Sequence, residues 1–301
     1  MDLNKIKNLY KKADRVVRIL DKEGKFRVSM INNTQTVITA MNNHKLHFAP
    51  AFFLAKLMAG ASMVSSFLKG EERVQIDIDG NGYITKLFAE SLQVGESRGF
   101  ARYEENKINE ENDSLINYLG AGFLRITKVL YNRSEPISGI VELQKGDIST
   151  DLAYYFTQSE QIPTAVILDV KLDDEGNILS SGGLMVHAMP GATNQEIENV
   201  YNSLKQITSF TDMIQNYTFE EIAKIVFPFE FDIISNTRVD FFCRCTKESF
   251  LSKLVTLDLK EIKEMRANNE NELVCIFCNK HYYIENDDFD SIINHIQALY
   301  N

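Results

Sequence analysis

Four thiols carry the chemistry this sequence can do. Cys243, Cys245, Cys275 and Cys278 are the only cysteines among 301 residues, and all lie in the last fifth of the chain. They form two pairs, Cys243-Arg244-Cys245 and Cys275-Ile276-Phe277-Cys278, separated by 29 residues. If the intervening chain folds back, all four sulfurs reach one tetrahedral centre. Thiolate sulfur is a soft donor that suits zinc, and four such ligands leave no open position for a hydrolytic water. An iron–sulfur cluster also takes four cysteines, but no electron-transfer partner site accompanies them here. A single zinc ion is the expected cofactor, with Cys243, Cys245, Cys275 and Cys278 as ligands.

The setting agrees with that chemistry. The charged stretch from Met1 through Arg18 lacks the continuous apolar run of a secretory signal, so a reducing, cytoplasmic location is expected. There, clustered cysteines bind metal or respond to redox sooner than they form permanent disulfides. A formal net charge of −10 disfavours a broad basic surface for nucleic acid or anionic lipid. Phe48 through Leu68 is apolar and long enough to span a bilayer, but Lys56, Gly60 and the serines at 62, 65 and 66 favour a buried helix instead.

The elements that must position the thiols are legible from period and punctuation. Alternating stretches at Arg15 to Leu20 and Lys25 to Ile31 flank Asp21-Lys22-Glu23-Gly24, which reads as a strand reversal. Similar pairs run from Arg73 to Asp77 and Tyr83 to Ala89 around Asp79-Gly80-Asn81-Gly82, and from Thr164 to Leu172 and Asn177 to Ser181 around Asp173-Asp174-Glu175-Gly176. Positive φ at the glycines is expected to close all three turns. Further strands are expected at Phe123 to Leu130 and Ile137 to Leu143, with helices from near Pro50 and from Ser149 to Ser159. The expected fold is α+β: a mixed sheet-and-helix domain over residues 1–191, a helical linker over 192–238, and a small metal-binding domain over 239–301.

In the linker, Ile197, Val200, Leu204, Ile207 and Ile214 predict one amphipathic helix of about 20 residues. Thr218-Phe219-Glu220-Glu221 starts a second, which Pro228 ends. The last domain should carry a short helix over Glu248 to Lys253 and another behind an Asp258 capping box. Strands at Glu272 to Phe277 and His281 to Glu285 should follow, then a helix presenting Ile292, Ile293, Ile296 and Leu299. So few apolar residues make a weak core, and a bound metal supplies the missing crosslink.

The cysteine pairs resemble the paired metal motif of the thirty-three-kilodalton heat-shock protein family, the redox-regulated holdase chaperones. Phe241-Phe242-Cys243-Arg244-Cys245-Thr246-Lys247-Glu248, Phe277-Cys278-Asn279-Lys280-His281-Tyr282 and the run from Gly182 through Gly191 extend the likeness over nearly the whole chain. It departs at His187, where glutamine is common, and at Thr246, where serine is common. The resemblance implies a non-enzymatic, ATP-independent holdase for unfolding proteins, inactive while reduced and zinc-bound. It also implies oxidised disulfides Cys243–Cys245 and Cys275–Cys278, homodimerisation on oxidation, and a docking or client surface carrying Ile197, Val200, Leu204 and Ile207. The competing readings are a zinc-stabilised nucleic-acid-binding or scaffold protein, and a thiol oxidoreductase built on Cys275 and Cys278. The acidic balance opposes the first, and the unexplained Cys243–Cys245 pair opposes the second.

Overall fold

A computed structural model describes residues 13–105 and 115–299, with the side chains of Leu115, Ile116 and Leu299 outside that description. The chain divides into two compact units, 1–242 and 243–301. The stretch 192–238 packs within the first of them.

Two sheets build the first unit. One has the order β10-β1-β2-β9-β8, from β1 (Arg15–Asp21), β2 (Phe26–Asn32), β8 (Thr164–Leu172), β9 (Ile178–Ala188) and β10 (Phe231–Arg238). The other has the order β11-β5-β4-β3-β6-β7, from β3 (Arg73–Gly80), β4 (Ile84–Leu92), β5 (Glu96–Tyr103), β6 (Gly122–Val129), β7 (Ile137–Glu142) and β11 (Asp240–Phe241). Helices α1 (Thr34–His44), α2 (Phe48–Ser65), α3 (Leu115–Leu119) and α4 (Ile148–Gln158) connect or cover them. Apart from the parallel β11–β5 pair, all the ladders are antiparallel.

The apolar stretch near Pro50 is α2, and it packs against strands of both sheets. Every residue from Phe53 to Ser65 is buried, as expected of a helix that is apolar all round and has protein on every side. Its one charge is satisfied: Lys56 Nζ lies 3.0 Å from Asp147 Oδ1 and 4.8 Å from the Phe52 ring centroid. Asp147 also caps α4 by accepting from the Thr150 amide.

Two of the three reversals close as expected. Gly24 and Gly176 have positive φ, and Asp21 and Asp173 accept amide hydrogen bonds within their turns. The third does not. Gly80 and Gly82 have ordinary φ, and they are small because the 119–122 backbone lies against them, where any Cβ would meet the Leu119 carbonyl group.

The long linker helix is also corrected. The chain forms α5 (Asn194–Leu204) and α6 (Phe210–Asn216), with a break between them. Ser209 caps α6 by accepting from the Asp212 amide, and the Asp169 carboxylate on β8 accepts from the Thr211 amide, the Thr211 hydroxyl and the Ser209 hydroxyl at 2.9–3.1 Å. These bonds start a new helix where an uninterrupted one would have had none of them. Next, α7 (Phe219–Val226) begins with the expected Thr218 capping box. Val200 and Leu204 are buried, with Ile197 and Ile207 partly buried beside them, against the sheet face formed by Val17, Val28, Met30, Leu184 and Val186. Residues 231–241, for which no strand was expected, add an edge strand to each sheet.

The second unit holds α8 (Lys247–Leu254), α9 (Leu259–Ala267), β12 (Glu272–Val274), β13 (His281–Tyr283) and α10 (Asn286–Leu299). Its core is small: Ile262, Ile284, Phe289, Ile292 and Ile296 are buried, with Ile293 partly buried beside them. The first expected strand is cut short because the cysteine turn claims residues 275–280, and the second starts at His281 as expected but ends at Tyr283.

Candidate metal centre

Each cysteine pair is delivered by a different backbone device. Cys243 and Cys245 precede α8, whose N-cap is Thr246; its hydroxyl accepts from the Ser249 amide at 3.1 Å. A serine hydroxyl caps a helix in the same way, so the departure at this position preserves the bond. Cys275 and Cys278 sit in the turn between β12 and β13. The Asn279 amide donates to the Cys275 carbonyl at 2.8 Å, the Cys275 amide donates to the Lys280 carbonyl at 2.9 Å, and Asn279 takes φ 55°. Asparagine tolerates that left-handed conformation better than most side chains, which lets the chain reverse within two residues of Cys278.

The two devices bring the four sulfurs within 4.8 Å of one another. Cys243 Sγ lies 3.6 Å from Cys275 Sγ, and Cys245 Sγ lies 3.4 Å from Cys278 Sγ. All four are free thiols, with these pairs well beyond the ~2.05 Å of a disulfide. Four sulfurs at ~2.3 Å from a tetrahedral zinc stand about 3.8 Å apart, so the spacing and the donor set both fit such an ion. Cys275 is buried and the other three are partly buried.

The surroundings differentiate the thiols. Burial disfavours ionisation of Cys245, but hydrogen bonds from the Tyr282 hydroxyl and the neighbouring thiols outweigh it and bring the thiol down to about 7. Burial pushes the Cys278 thiol up. Lys247, which neighbours the ligands in sequence, is engaged by Asp288 at 2.7 Å, and Lys280 Nζ lies over the Tyr282 ring. His281 Nδ1 bonds Glu272 at 2.7 Å across the hairpin, an interaction that accounts for this histidine without a metal.

Tyr282 is the residue that spacing did not single out, although it falls within the run that carried the resemblance. Its hydroxyl donates to the Cys245 carbonyl at 2.9 Å and stands 3.3 Å from Cys245 Sγ, while its ring packs on Phe250. Only the folded hairpin brings it beside a cysteine 37 residues earlier.

A sequence profile described as "Hsp33 protein" matches residues 14–285. The chain belongs to the Hsp33 family. Relatives of this Hsp33 chain include the 33 kDa chaperonin of Desulforamulus reducens, 30% identical over 290 residues covering 94% of this chain and 98% of that protein. The 33 kDa chaperonin of Streptococcus agalactiae serotype Ia is 28% identical over 288 residues, covering 93% and 98%. A crystal structure of the 33 kDa chaperonin (Heat shock protein 33 homolog) from Thermotoga maritima superposes with a TM-score of 0.86 at 26% identity, covering 95% of this chain and 99% of that one. Membership places this Hsp33 protein among non-enzymatic holdase chaperones, with a four-cysteine cluster able to coordinate a metal ion.

Proposed function

We propose that the protein is a redox-regulated, ATP-independent holdase whose reduced form keeps one zinc ion on Cys243, Cys245, Cys275 and Cys278. The observation that carries this reading is the convergence of all four cysteines of an Hsp33-family chain within 4.8 Å, across 29 intervening residues. Zinc there would supply a long-range crosslink to a unit whose own apolar core is small.

Oxidation removes the ligands. When Cys243 pairs with Cys245 and Cys275 with Cys278, each pair of ligand thiolates gives up two electrons and an S–S bond forms. One hydrogen peroxide per disulfide accepts them, its O–O bond breaking and two protons from solvent completing two waters. Each new disulfide closes a very short loop and cannot replace the tie between the two ends of the unit. The 243–301 unit then loses stability. The helical segment carrying Ile197, Val200, Leu204 and Ile207 is proposed to undock afterwards, offering apolar surface to unfolding client proteins. Hydrophobic burial has little directional demand and therefore accepts varied partners. Oxidised protein is expected to form homodimers, and a cytoplasmic location suits a switch that starts reduced.

The test follows zinc content, free thiols and light scattering of a heat-unfolding client on the same samples, before and after peroxide under mild unfolding. Zinc release and thiol loss should accompany suppression of aggregation. Equal client protection by the reduced, zinc-bound protein and by the oxidised, zinc-free protein would reject the switch. Mapping disulfides in the oxidised protein tests the pairing.

A further inference from the structure

The count of metal ligands is complete without Tyr282, yet its hydroxyl stands beside one of them. The phenol O–H donates to the Cys245 carbonyl oxygen at 2.9 Å, and the phenol oxygen also lies 3.3 Å from Cys245 Sγ; as a metal ligand that sulfur is a thiolate with no proton of its own, so the two acceptors then share the phenol proton. Two neighbours hold the ring in place. Phe250 of α8 packs against it at 5.5 Å between centroids, and Lys280 Nζ lies 5.0 Å from the ring centroid. Tyr282 thereby joins β13 to the residue preceding the α8 cap, the two ends of the chain that the cysteines must bring together.

A donor aimed at a ligating sulfur does two things. It fixes the direction of the sulfur lone pairs, and it draws electron density from the sulfur, making it less reactive toward electrophiles. We propose that Tyr282 is a positioning residue for the cysteine centre, its hydroxyl holding Cys245 against the other three sulfurs and retarding loss of that corner of the site. The proposal rests on the reading of the cluster as a zinc site and adds to it the residue that governs how long the site persists.

The discriminating pair of variants is Tyr282→Phe, which keeps the ring packing and removes the donor, and Tyr283→Phe. Tyr283 is on the same strand, but its hydroxyl bonds Glu272 at 3.0 Å. Full-length reduced protein is loaded with zinc, and transfer of the metal to an excess of chromophoric chelator is timed. A second set is loaded with cobalt(II), and its sulfur-to-metal charge-transfer band is recorded. Tyr282→Phe should release zinc on the order of 10-fold faster, within the range usual for partners that hydrogen-bond a metal ligand. Its cobalt band should move to lower energy, and Tyr283→Phe should match the wild type in both readouts. A Tyr282→Phe protein with the wild-type release rate and an unshifted band would overturn the proposal, as would equal effects from both variants, which would indicate a loosened hairpin. A wild-type protein that takes up neither metal would overturn the zinc reading as well, whereas metal uptake with an indifferent Tyr282→Phe would overturn this proposal alone.

Discussion

His187 carries a testable consequence of burial. It lies on β9, 1% exposed, between the rings of Phe67 and Phe156. Thr164 donates its hydroxyl proton to the Ile162 carbonyl, so the 2.7 Å contact with His187 Nδ1 is one in which the imidazole donates. Among the described residues Nε2 is then left without a proton and without a hydrogen-bond partner. Burial, assisted by the charges of Arg27 and Lys128, pulls this imidazole down to about 3. Because the folded-state value lies below that of the unfolded chain, the neutral form contributes stability in full above about pH 6.5, and that stability is lost as pH falls toward 3. By pH 4.5 the loss reaches roughly 2–3 kcal/mol. His187→Gln, which keeps a polar partner for Thr164, should flatten the fall in melting temperature between pH 7 and pH 4.5; equal slopes for variant and wild type would refute the assignment. At the cysteines, Cys243→Ser replaces a soft thiolate with a hard hydroxyl and should weaken zinc retention sharply in a chelator competition. Unchanged affinity would exclude Cys243 as an essential ligand. The ligand types and spacing were readable in the chain itself, because sulfur chemistry depends on residue identity. The Tyr282 contact was not, because a phenol becomes a sulfur's neighbour only when a hairpin and a helix start are brought together.

At the scale of elements, the sequence reading succeeded where one face of a segment is apolar and the other polar. β1, β2, β3 and β8 fall close to their expected positions, as do α8 and, with their expected side-chain caps, α7 and α9. It failed where local pattern was overruled. The step from Ile207 to Ile214 spans two helical turns and looks continuous, but Asp169, distant in sequence, supplies the hydrogen bonds that restart the helix at Ser209. β10 buries none of its eight residues fully, so no inward apolar alternation betrayed it, and its pairing with β1 defines it instead. The α5–α7 layer predicts its own energetics. Phe210, fully buried against the first sheet, should cost about 3–5 kcal/mol when replaced by alanine. Ile225→Ser on the exposed face of α7 should stay within about 0.5 kcal/mol. Denaturant melts of the two variants check this, and comparable losses would mean the layer is not packed as described. Gly95 is a stricter case: it has φ +95°, and a Cβ there would run into the Arg238 carbonyl. Gly95→Ala should therefore detach β11 from β5, seen as loss of amide protection at Asp240 and Phe242, which donate to the Gly95 and Ser97 carbonyls.

For the whole molecule, the two units differ in what holds them. The first is built on two sheets and a helix buried between them, whereas the second relies on a handful of apolar side chains and its cysteine cluster. Removing metal from the reduced protein should therefore expose the amides of α8, α9 and α10 to hydrogen exchange while β2, β4 and β9 stay protected. Simultaneous loss across both units would contradict that division. The central helix α2 has a further consequence, during synthesis. Its apolar surface leaves the ribosome complete at Ser65, but β8 and β9, which help to enclose it, are not finished until Ala188. At ~5–20 residues per second the nascent chain spends several seconds with an eighteen-residue greasy segment whose enclosure is only partly made. A protein proposed to shelter other unfolding chains thus begins its own life in need of the same shelter.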